Sequence, residues 1–337
     1  PASPEPPSSH TTTIEHPMRR GVIDIGTNSI KLLIADLHDD EISPRLETSR
    51  QTRLGSGFYV DGKLQVEPIR ATIATVNELL ALAKRNDCSN TRIIATSAVR
   101  EAANADDLLD ALGPAVDVLS GDDEARLVFD GVLSCPRLAK RPALVVDVGG
   151  GSTEFIVGDP EGMRFHASTP LGSVRLMEKS TISDPPTTGE LATVRKTVDE
   201  NLSKAMLPGL RRQLGALDQA TPLQLIGSGG MAGILAKMEL ADDGYDRGRM
   251  EAVKLPLEPV AGWRERLWGL PLARRSEITG LPVMRADVAL FGSLIYEQLM
   301  RRLGFAALQI STRGLRFGAL QPRPLSKNKL ANRPVRR

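Results

Sequence analysis

Two stretches of this chain match each other without a gap over 13 residues: Asp24 to Asp36 reads DIGTNSIKLLIAD, and Asp147 to Asp159 reads DVGGGSTEFIVGD. The opening Asp, a Gly, a Ser and the closing Asp are identical. Apolar residues match at Ile25/Val148, Leu32/Phe155, Leu33/Ile156 and Ile34/Val157. One such segment arises by chance. Two, each opening an equivalent block of strands and helices, point to a duplicated unit.

The first block predicts strands over 21–25 and 31–36 around a glycine turn, and a third strand near 42–48. Ile69, Ile73, Val76, Leu79, Leu80 and Ala83 fall at helical spacing, which predicts an amphipathic helix over 67–85. Strands over 92–96 and 116–119 follow, then a helix over 122–133. Residues 134–142 (SCPRLAKRP) read as a linker. Beyond it the pattern restarts, with strands over 144–148 and 154–158, a candidate strand over 164–169 and a helix over 188–206. Next come a strand over 223–227, helices over 231–238, 259–268 and 283–303, a strand over 306–311 and a closing helix over 314–320. Meander strands followed by alternating strands and helices predict an α/β chain of two duplicated domains, each a mixed sheet flanked by helices.

Composition narrows the function classes. At 337 residues the chain can bury a real core, and 41% hydrophobic with 25% charged residues is ordinary for a globular protein. A formal charge of +2 makes no case for a nucleic-acid or membrane partner. No apolar run reaches the roughly 18 residues of a membrane span. Only Cys88 and Cys135 are present, without CxxC spacing, so neither a disulfide framework nor a zinc site is indicated and a reducing cytoplasm fits. The histidines, His10, His16, His38 and His166, show no ligand spacing. Residues 1–17, rich in Pro, Ser and Thr, read as a disordered tail. Residues 322–337 carry Arg323, Lys327, Lys329, Arg333, Arg336 and Arg337 and no acid, and read as a solvated basic tail.

The chemistry concentrates at three glycine loops. Gly26 and the run Gly149-Gly150-Gly151 let backbone approach a ligand closely, and successive N–H groups in such turns form a nest for phosphate oxygens. Thr27, Asn28, Ser29, Ser152 and Thr153 add side-chain donors. Gly227-Ser228-Gly229-Gly230 follows an apolar strand and opens a helix, whose N-terminus favours anions. Asp24 and Asp147 end buried strands, where a lone carboxylate is costly; Mg²⁺ is a natural partner, being an oxygen-seeking ion that bridges to phosphates. The plainer reading has each Asp capping its own loop. Arg100, just past a strand end, can fork onto phosphate, or pair with Glu101. Asp122, Asp123 and Glu124 open a helix, where the dipole favours acids; one of them could take a proton from an attacking water, and spacing does not choose among them. Glu154 stands where the first repeat has Lys31.

Two strand–loop–strand units with a third glycine loop resemble the actin/sugar-kinase/heat-shock-protein superfamily. Within it, DIGTNSIKLL (24–33), TSAVREA (96–102), SGDDEARLVFDGV (120–132), DVGGGSTEFIVG (147–158), PLGSVRLMEKS (170–180), IGSGGMAGILA (226–236) and STRGLRFGAL (311–320) resemble the exopolyphosphatase/guanosine pentaphosphate phosphohydrolase family, in its short two-domain form. The resemblance implies that Glu124 is the base for water and Glu154 a second essential acid, with Asp24, Asp147 and Glu154 associated with Mg²⁺. It also implies that Asn28, Ser29 and Arg100 contact phosphate. The reaction implied is hydrolysis of the terminal phosphoanhydride of inorganic polyphosphate, or of the 5′-γ-phosphate of guanosine pentaphosphate. It divides the chain into a first domain at 18–134 and a second at 135–312, with 313–321 returning to the first. Homodimers occur in the family. Two departures stand out: the third loop reads GSGGM where Thr usually follows, and Asp123 stands where Glu is frequent. Arg264, Arg266, Arg274 and Arg275 are candidate guides for a long polyanion, against the plainer reading of solvated helix faces.

Two rivals remain. An ATP-dependent kinase or ATPase of the same superfamily shares both loops but needs nucleotide, and a nucleotide or polyphosphate sensor would lack turnover.

Overall fold

The computed structural model describes residues 18–321, apart from 39–40, 89, 114, 206 and 218–220. The two tails therefore lie outside the described residues.

Among the described residues the repeat is visible as topology. In the first half β1 (Met18–Ile25), β2 (Ser29–His38), β3 (Glu41–Gln51), β4 (Asn90–Ala95) and β5 (Val116–Val118) form a sheet of order β3-β2-β1-β4-β5. In the second, β6 (Ala143–Val148), β7 (Thr153–Asp159), β8 (Gly162–Thr169), β9 (Gln224–Ser228), β10 (Lys254–Pro256) and β11 (Ala307–Ile310) run in the order β10-β11-β9-β6-β7-β8. Read from β8, this is the first sheet again, with β10 added antiparallel at one edge. In both halves a three-strand antiparallel meander continues into parallel strands. The central strands β1 and β6 are apolar on both faces because both faces are covered.

The register aligns the two repeats at the site. Asp24 lies opposite Lys31 across β1 and β2, and Asp147 lies opposite Glu154 across β6 and β7. Duplication thus puts an acid–base pair in one lobe and an acid–acid pair at the equivalent place in the other.

Each half lends its last helix to its neighbour. The helix Gly121–Leu133 follows β5, yet Phe129 and Val132 pack with Val145, Ile156 and Ile226 of the second sheet. The helix Leu315–Leu320 follows β11, and Phe317 and Leu320 pack with Val22, Leu33 and Ile94 of the first. The two helices meet backbone to backbone. A Cβ on Gly131 would run into the Gly314 carbonyl, and one on Gly318 into the Leu127 carbonyl. A boundary at 134 therefore separates the repeats in sequence but not in space.

The expected helix over 283–303 is shorter. Residues Val283–Arg285 make a single 3-10 turn, and the helix proper is Ala289–Leu303. The preceding turn is held by the other lobe, since Gln51 Nε2 donates to the Met284 carbonyl at 2.7 Å. Short helices at Phe58–Asp61, Ser97–Glu101, Asp106–Leu112 and Ser173–Lys179, and the three-residue β10, are too brief to show periodicity.

Candidate active site

Between the two sheets lies a cavity of about 620 Å³, lined by all three glycine loops and by Asp24, Glu124, Asp147 and Glu154. The first two loops are built alike. Gly26 N–H donates to the Ser29 carbonyl (3.2 Å), and Gly149 N–H donates to the Ser152 carbonyl (2.9 Å). These bonds close each turn. Among the described residues the N–H groups of Thr27 and Asn28, and of Gly150 and Gly151, bond to no backbone carbonyl. Such exposed donors are what a phosphate needs. Asn28, which lines the cavity, adds to them: its Oδ1 accepts from Gln51 Nε2 at 2.9 Å, while its buried Nδ2 has no partner. Gly229 has φ +81°, and a Cβ there would strike the Asp147 carboxylate, so only glycine brings the third loop this close.

The helix Gly121–Leu133 sorts its three opening acids. Ser120 is its N-cap, and its Oγ accepts from Asp123 N–H at 3.1 Å and donates to Asp123 Oδ2 at 2.6 Å. Asp122 is exposed and lies 3.2 Å from His166 Nε2. Glu124 alone turns into the cavity, 8% exposed. Arg100 Nη1 donates both to Glu124 Oε2 (2.7 Å) and to the Leu119 carbonyl (2.9 Å). Arg100 thus borders the carboxylate instead of standing free for phosphate alone.

The electrostatics of the cavity are strained by design of its burial. Burial, only partly offset by Arg100, raises Glu124 to about 7, with Asp147 and Asp24 adding to the rise. Burial likewise lifts Asp147 to about 6 against the pull of Lys31. Glu154 is pushed well above the usual carboxylate range by burial and then by Glu124 and Asp147. The hydroxyls of Ser152 (2.7 Å) and Ser168 (3.0 Å), both donating to its Oε1, offset this in part. Asp24 is raised by burial, with Lys31 opposing. A pocket with this surplus of carboxylate and a floor of free N–H groups suits a polyanion accompanied by a cation.

Sequence reasoning placed none of the four cations that line the cavity among the described residues, Lys31, Lys237, Arg285 and Arg316, of which Lys31 and Arg285 bear on the loops and their acids. Lys31, opposite Asp24, is lowered by burial and pulled back up by Asp24. Its signal was present in the repeat, as the residue Glu154 replaces. Arg285 reaches from the second lobe to the first loop, and its Nη2 donates to Ser29 Oγ at 2.8 Å. Burial lowers it to about 10, with Asp287 opposing. No local pattern could flag it, because its partner is 256 positions away.

Two expected phosphate contacts are corrected. Thr153 is fully buried and its Oγ1 donates to the Leu171 carbonyl at 2.5 Å, so it braces the loop from behind. Gly227 lies within β9, its carbonyl accepting from Ser311 N–H at 2.9 Å, and it is not part of the cavity wall. Ser228, Gly229 and Gly230 do line it, although Ser228 Oγ also donates to the Arg313 carbonyl at 3.1 Å. The four arginines considered as polyanion guides are otherwise engaged. Arg264 pairs with Glu297 (2.6 Å), Arg274 with Glu277 (2.7 Å) and Arg275 with Asp184 (3.3 Å), and Arg266 stacks on Trp263.

Among the described residues no three metal-binding side chains converge into one cage, so Asp24, Asp147 and Glu154 do not form a closed metal site. Mg²⁺ does not require one, since it commonly takes one or two carboxylates, waters and substrate phosphates. Asp24 and Asp147 fit that donor set: both line the cavity, and the Asp24 charge is among the causes that raise Asp147.

Known proteins resemble this chain in sequence and in fold. The chain is 32% identical over 302 residues to exopolyphosphatase 2 of Mycobacterium tuberculosis, covering 85% of this chain and 91% of that one. It is 25% identical over 307 residues to a guanosine-5′-triphosphate,3′-diphosphate pyrophosphatase of Aeromonas hydrophila, spanning 88% of this chain and 58% of that protein. The crystal structure of the Aquifex aeolicus Ppx/GppA family member superposes with a TM-score of 0.74 at 30% identity, covering 90% of this chain and 96% of that one. An exopolyphosphatase structure from Cytophaga hutchinsonii superposes with a TM-score of 0.79 at 26% identity, covering 90% and 96%. The sequence pattern of the Ppx/GppA phosphatase family matches residues 33–323, and with the duplicated sheets and the cavity between them this chain belongs to that family of hydrolases.

Proposed function

We propose that this enzyme hydrolyses the terminal phosphoanhydride of inorganic polyphosphate and releases orthophosphate. The observation that carries the reading is Glu124, a buried carboxylate poised near pH 7 beside two phosphate loops. A base is most effective when its pKa lies near the working pH.

In this mechanism the free N–H groups of the first two loops and Asn28 Nδ2 hold the terminal phosphates. Lys31 and Arg285 offset their charge. Glu124, oriented by Arg100, accepts a proton from a water whose oxygen attacks the terminal phosphorus. The bond from that phosphorus to the bridging oxygen breaks, and the chain leaves one phosphate shorter. Asp24 and Asp147 would hold Mg²⁺, which when bound neutralises charge developing on the phosphoryl oxygens. The burial of Asp24, the half-burial of Asp147 and the raised pKa values of both support that role.

A second reading is 5′-phosphate removal from guanosine pentaphosphate. It is favoured by an apolar stretch of the cavity wall at Met231, Ile234, Met250 and Tyr245, which a bare polyanion does not need. The proposal places the enzyme in the cytoplasm, supported by the free thiols of Cys88 and Cys135. No described helix is long and apolar enough to cross a membrane. A homodimer is the proposed assembly, on the resemblance to the family, and light scattering reads it.

Phosphate release from short polyphosphate, long polyphosphate and guanosine pentaphosphate, measured side by side with and without Mg²⁺ and with no other nucleotide, tests the whole reading. Turnover of polyphosphate that stops on chelation supports it. A requirement for ADP or ATP would make the protein a kinase, and binding without turnover would make it a sensor.

A further inference from the structure

The segment PLGSVRLMEKS (170–180) has no part in the chemistry above. It forms the helix Ser173–Lys179, and the start of that helix is seated on the second phosphate loop. Ser173 N–H donates to the Gly149 carbonyl at 3.0 Å, and the N–H groups of Val174 and Arg175 donate to the Gly150 carbonyl at 2.9 and 3.0 Å. Arg175 Nε donates to the Gly151 carbonyl at 2.6 Å. Three successive loop carbonyls are therefore drawn to one helix. In a planar trans peptide the C=O and the following N–H point in opposite directions. Holding the carbonyls of 149–151 on the helix side turns the N–H groups of 150–152 to the cavity side, which is the nest the phosphate meets.

Arg175 does more than complete this set. Its Nη2 donates to Glu101 Oε2 at 2.8 Å, and its guanidinium lies 4.1 Å from the centre of the Tyr59 ring. Glu101 and Tyr59 both belong to the first lobe. Tyr59 also closes on the same peptide, because a Cβ at Gly151 would overlap Tyr59 Oη and Ser97 Oγ. One turn along the helix, Glu178 accepts from Gly57 N–H (2.7 Å) and Tyr59 N–H (3.2 Å), docking the helix on the first lobe without touching the loop.

We propose that Arg175 is a positioning residue that ties the geometry of the second phosphate loop to closure of the two lobes, by holding the Gly151 carbonyl while it is itself gripped by Glu101 and Tyr59. When the lobes are together the guanidinium is fixed and the N–H nest is aimed. When they separate, Arg175 loses two of its three partners and the Gly151 peptide is free to turn. This rests on the hydrolase reading, in which that nest holds the reacting phosphate.

Hydrogen–deuterium exchange and steady-state kinetics on the full chain test it, using Arg175→Ala, Arg175→Lys and Glu178→Ala. In Arg175→Ala, exchange over residues 149–152 is expected to rise and kcat to fall by about 10²-fold, the loss typical of a small misplacement of reacting groups. KM should move far less. Arg175→Lys keeps the charge but cannot fork onto both the carbonyl and Glu101, so it should lie between; it also carries the comparison if the alanine variant fails to fold. Glu178→Ala weakens the docking of the helix on the first lobe but leaves Arg175 on the Gly151 carbonyl, so its effects on exchange and kcat should go the same way and be clearly smaller. Wild-type exchange and kcat in Arg175→Ala, or full reproduction of its losses by Glu178→Ala, would overturn the proposal. Should the wild-type chain release no phosphate from either substrate, the functional reading fails, and the exchange comparison still decides the role of Arg175.

Discussion

Arg100 Nη1 lies 2.7 Å from Glu124 Oε2, joining the short helix after β4 to the helix after β5 at the edge of the cavity. The pair keeps the carboxylate aimed, yet burial still leaves Glu124 near 7. Replacing it by Gln retains the shape and the Arg100 contact but removes the proton acceptor. Glu124→Gln is expected to keep fold and substrate affinity and to lose turnover by about 10²–10⁴-fold, the usual worth of general-base help. Phosphate release beside circular dichroism checks this, and near-normal turnover would remove Glu124 from the role.

The same burial has a stability consequence. A carboxyl whose folded pKa is raised keeps a proton that the unfolded chain has lost. Its contribution is fully present below the unfolded value, about 4.3 for Glu, and is lost as pH rises through the folded value. For Glu124 that window runs up to about 7, and Asp147 and Glu154 act in the same direction. The metal-free enzyme should therefore lose stability on going from weakly acidic to neutral pH. Glu124→Gln should melt higher than wild type at about pH 8, by an amount on the order of 1 kcal/mol that shrinks towards about pH 5. Thermal melts in chelator across that range decide it; a constant difference at every pH would refute the account.

Arg285 is a charged group with a hydroxyl as its hydrogen-bond partner, Ser29 at 2.8 Å, and among the described residues no carboxylate forms an ion pair with it. Asp287 pairs instead with Arg53 at 2.8 Å. A half-buried guanidinium in that state is suited to an incoming phosphate. Arg285→Ala should raise KM for polyphosphate by about tenfold or more, the worth of a hydrogen bond to a charged group, with a smaller change in kcat. KM measured over a salt series checks it, since wild type should show the steeper salt dependence.

The crossing of the helices Gly121–Leu133 and Leu315–Leu320 depends on bare backbone. Gly131→Ala and Gly318→Ala should each cost about 1–3 kcal/mol, because carbonyl groups on the facing helix cannot retreat as a side-chain tip can. Gly262 offers the control: it sits inside the helix Leu257–Gly269 with open space around it. Gly262→Ala should be neutral or stabilising by up to about 1 kcal/mol. Urea denaturation of the three variants compares them directly.

Much of the site was legible because it is local. The loops at Gly26 and Gly149, their strand-end acids and the Ser–Gly–Gly opening at Ser228 all lie in contiguous stretches whose backbone chemistry shows in residue type. The errors arose where one position serves two surfaces. Thr153 looked like a phosphate donor, but side chains alternate along β7 and its hydroxyl is spent on Leu171. The turn Val283–Arg285 looked like helix, but contacts from Gln51 on the other lobe hold it.

The sequence by itself determined the duplication, the α/β class and the two loops, because periodicity, glycine placement and a gapless repeat are properties of neighbouring residues. Only the tertiary structure decided that Arg285 crosses to Ser29, that Arg175 binds the second loop to the first lobe, and that the helix Gly121–Leu133 packs on the second sheet. These are contacts between residues far apart in the chain. They exist because the two halves are joined by crossed helices and by loops drawn from distant parts of the chain, and no local pattern encodes which side chains that joining brings together.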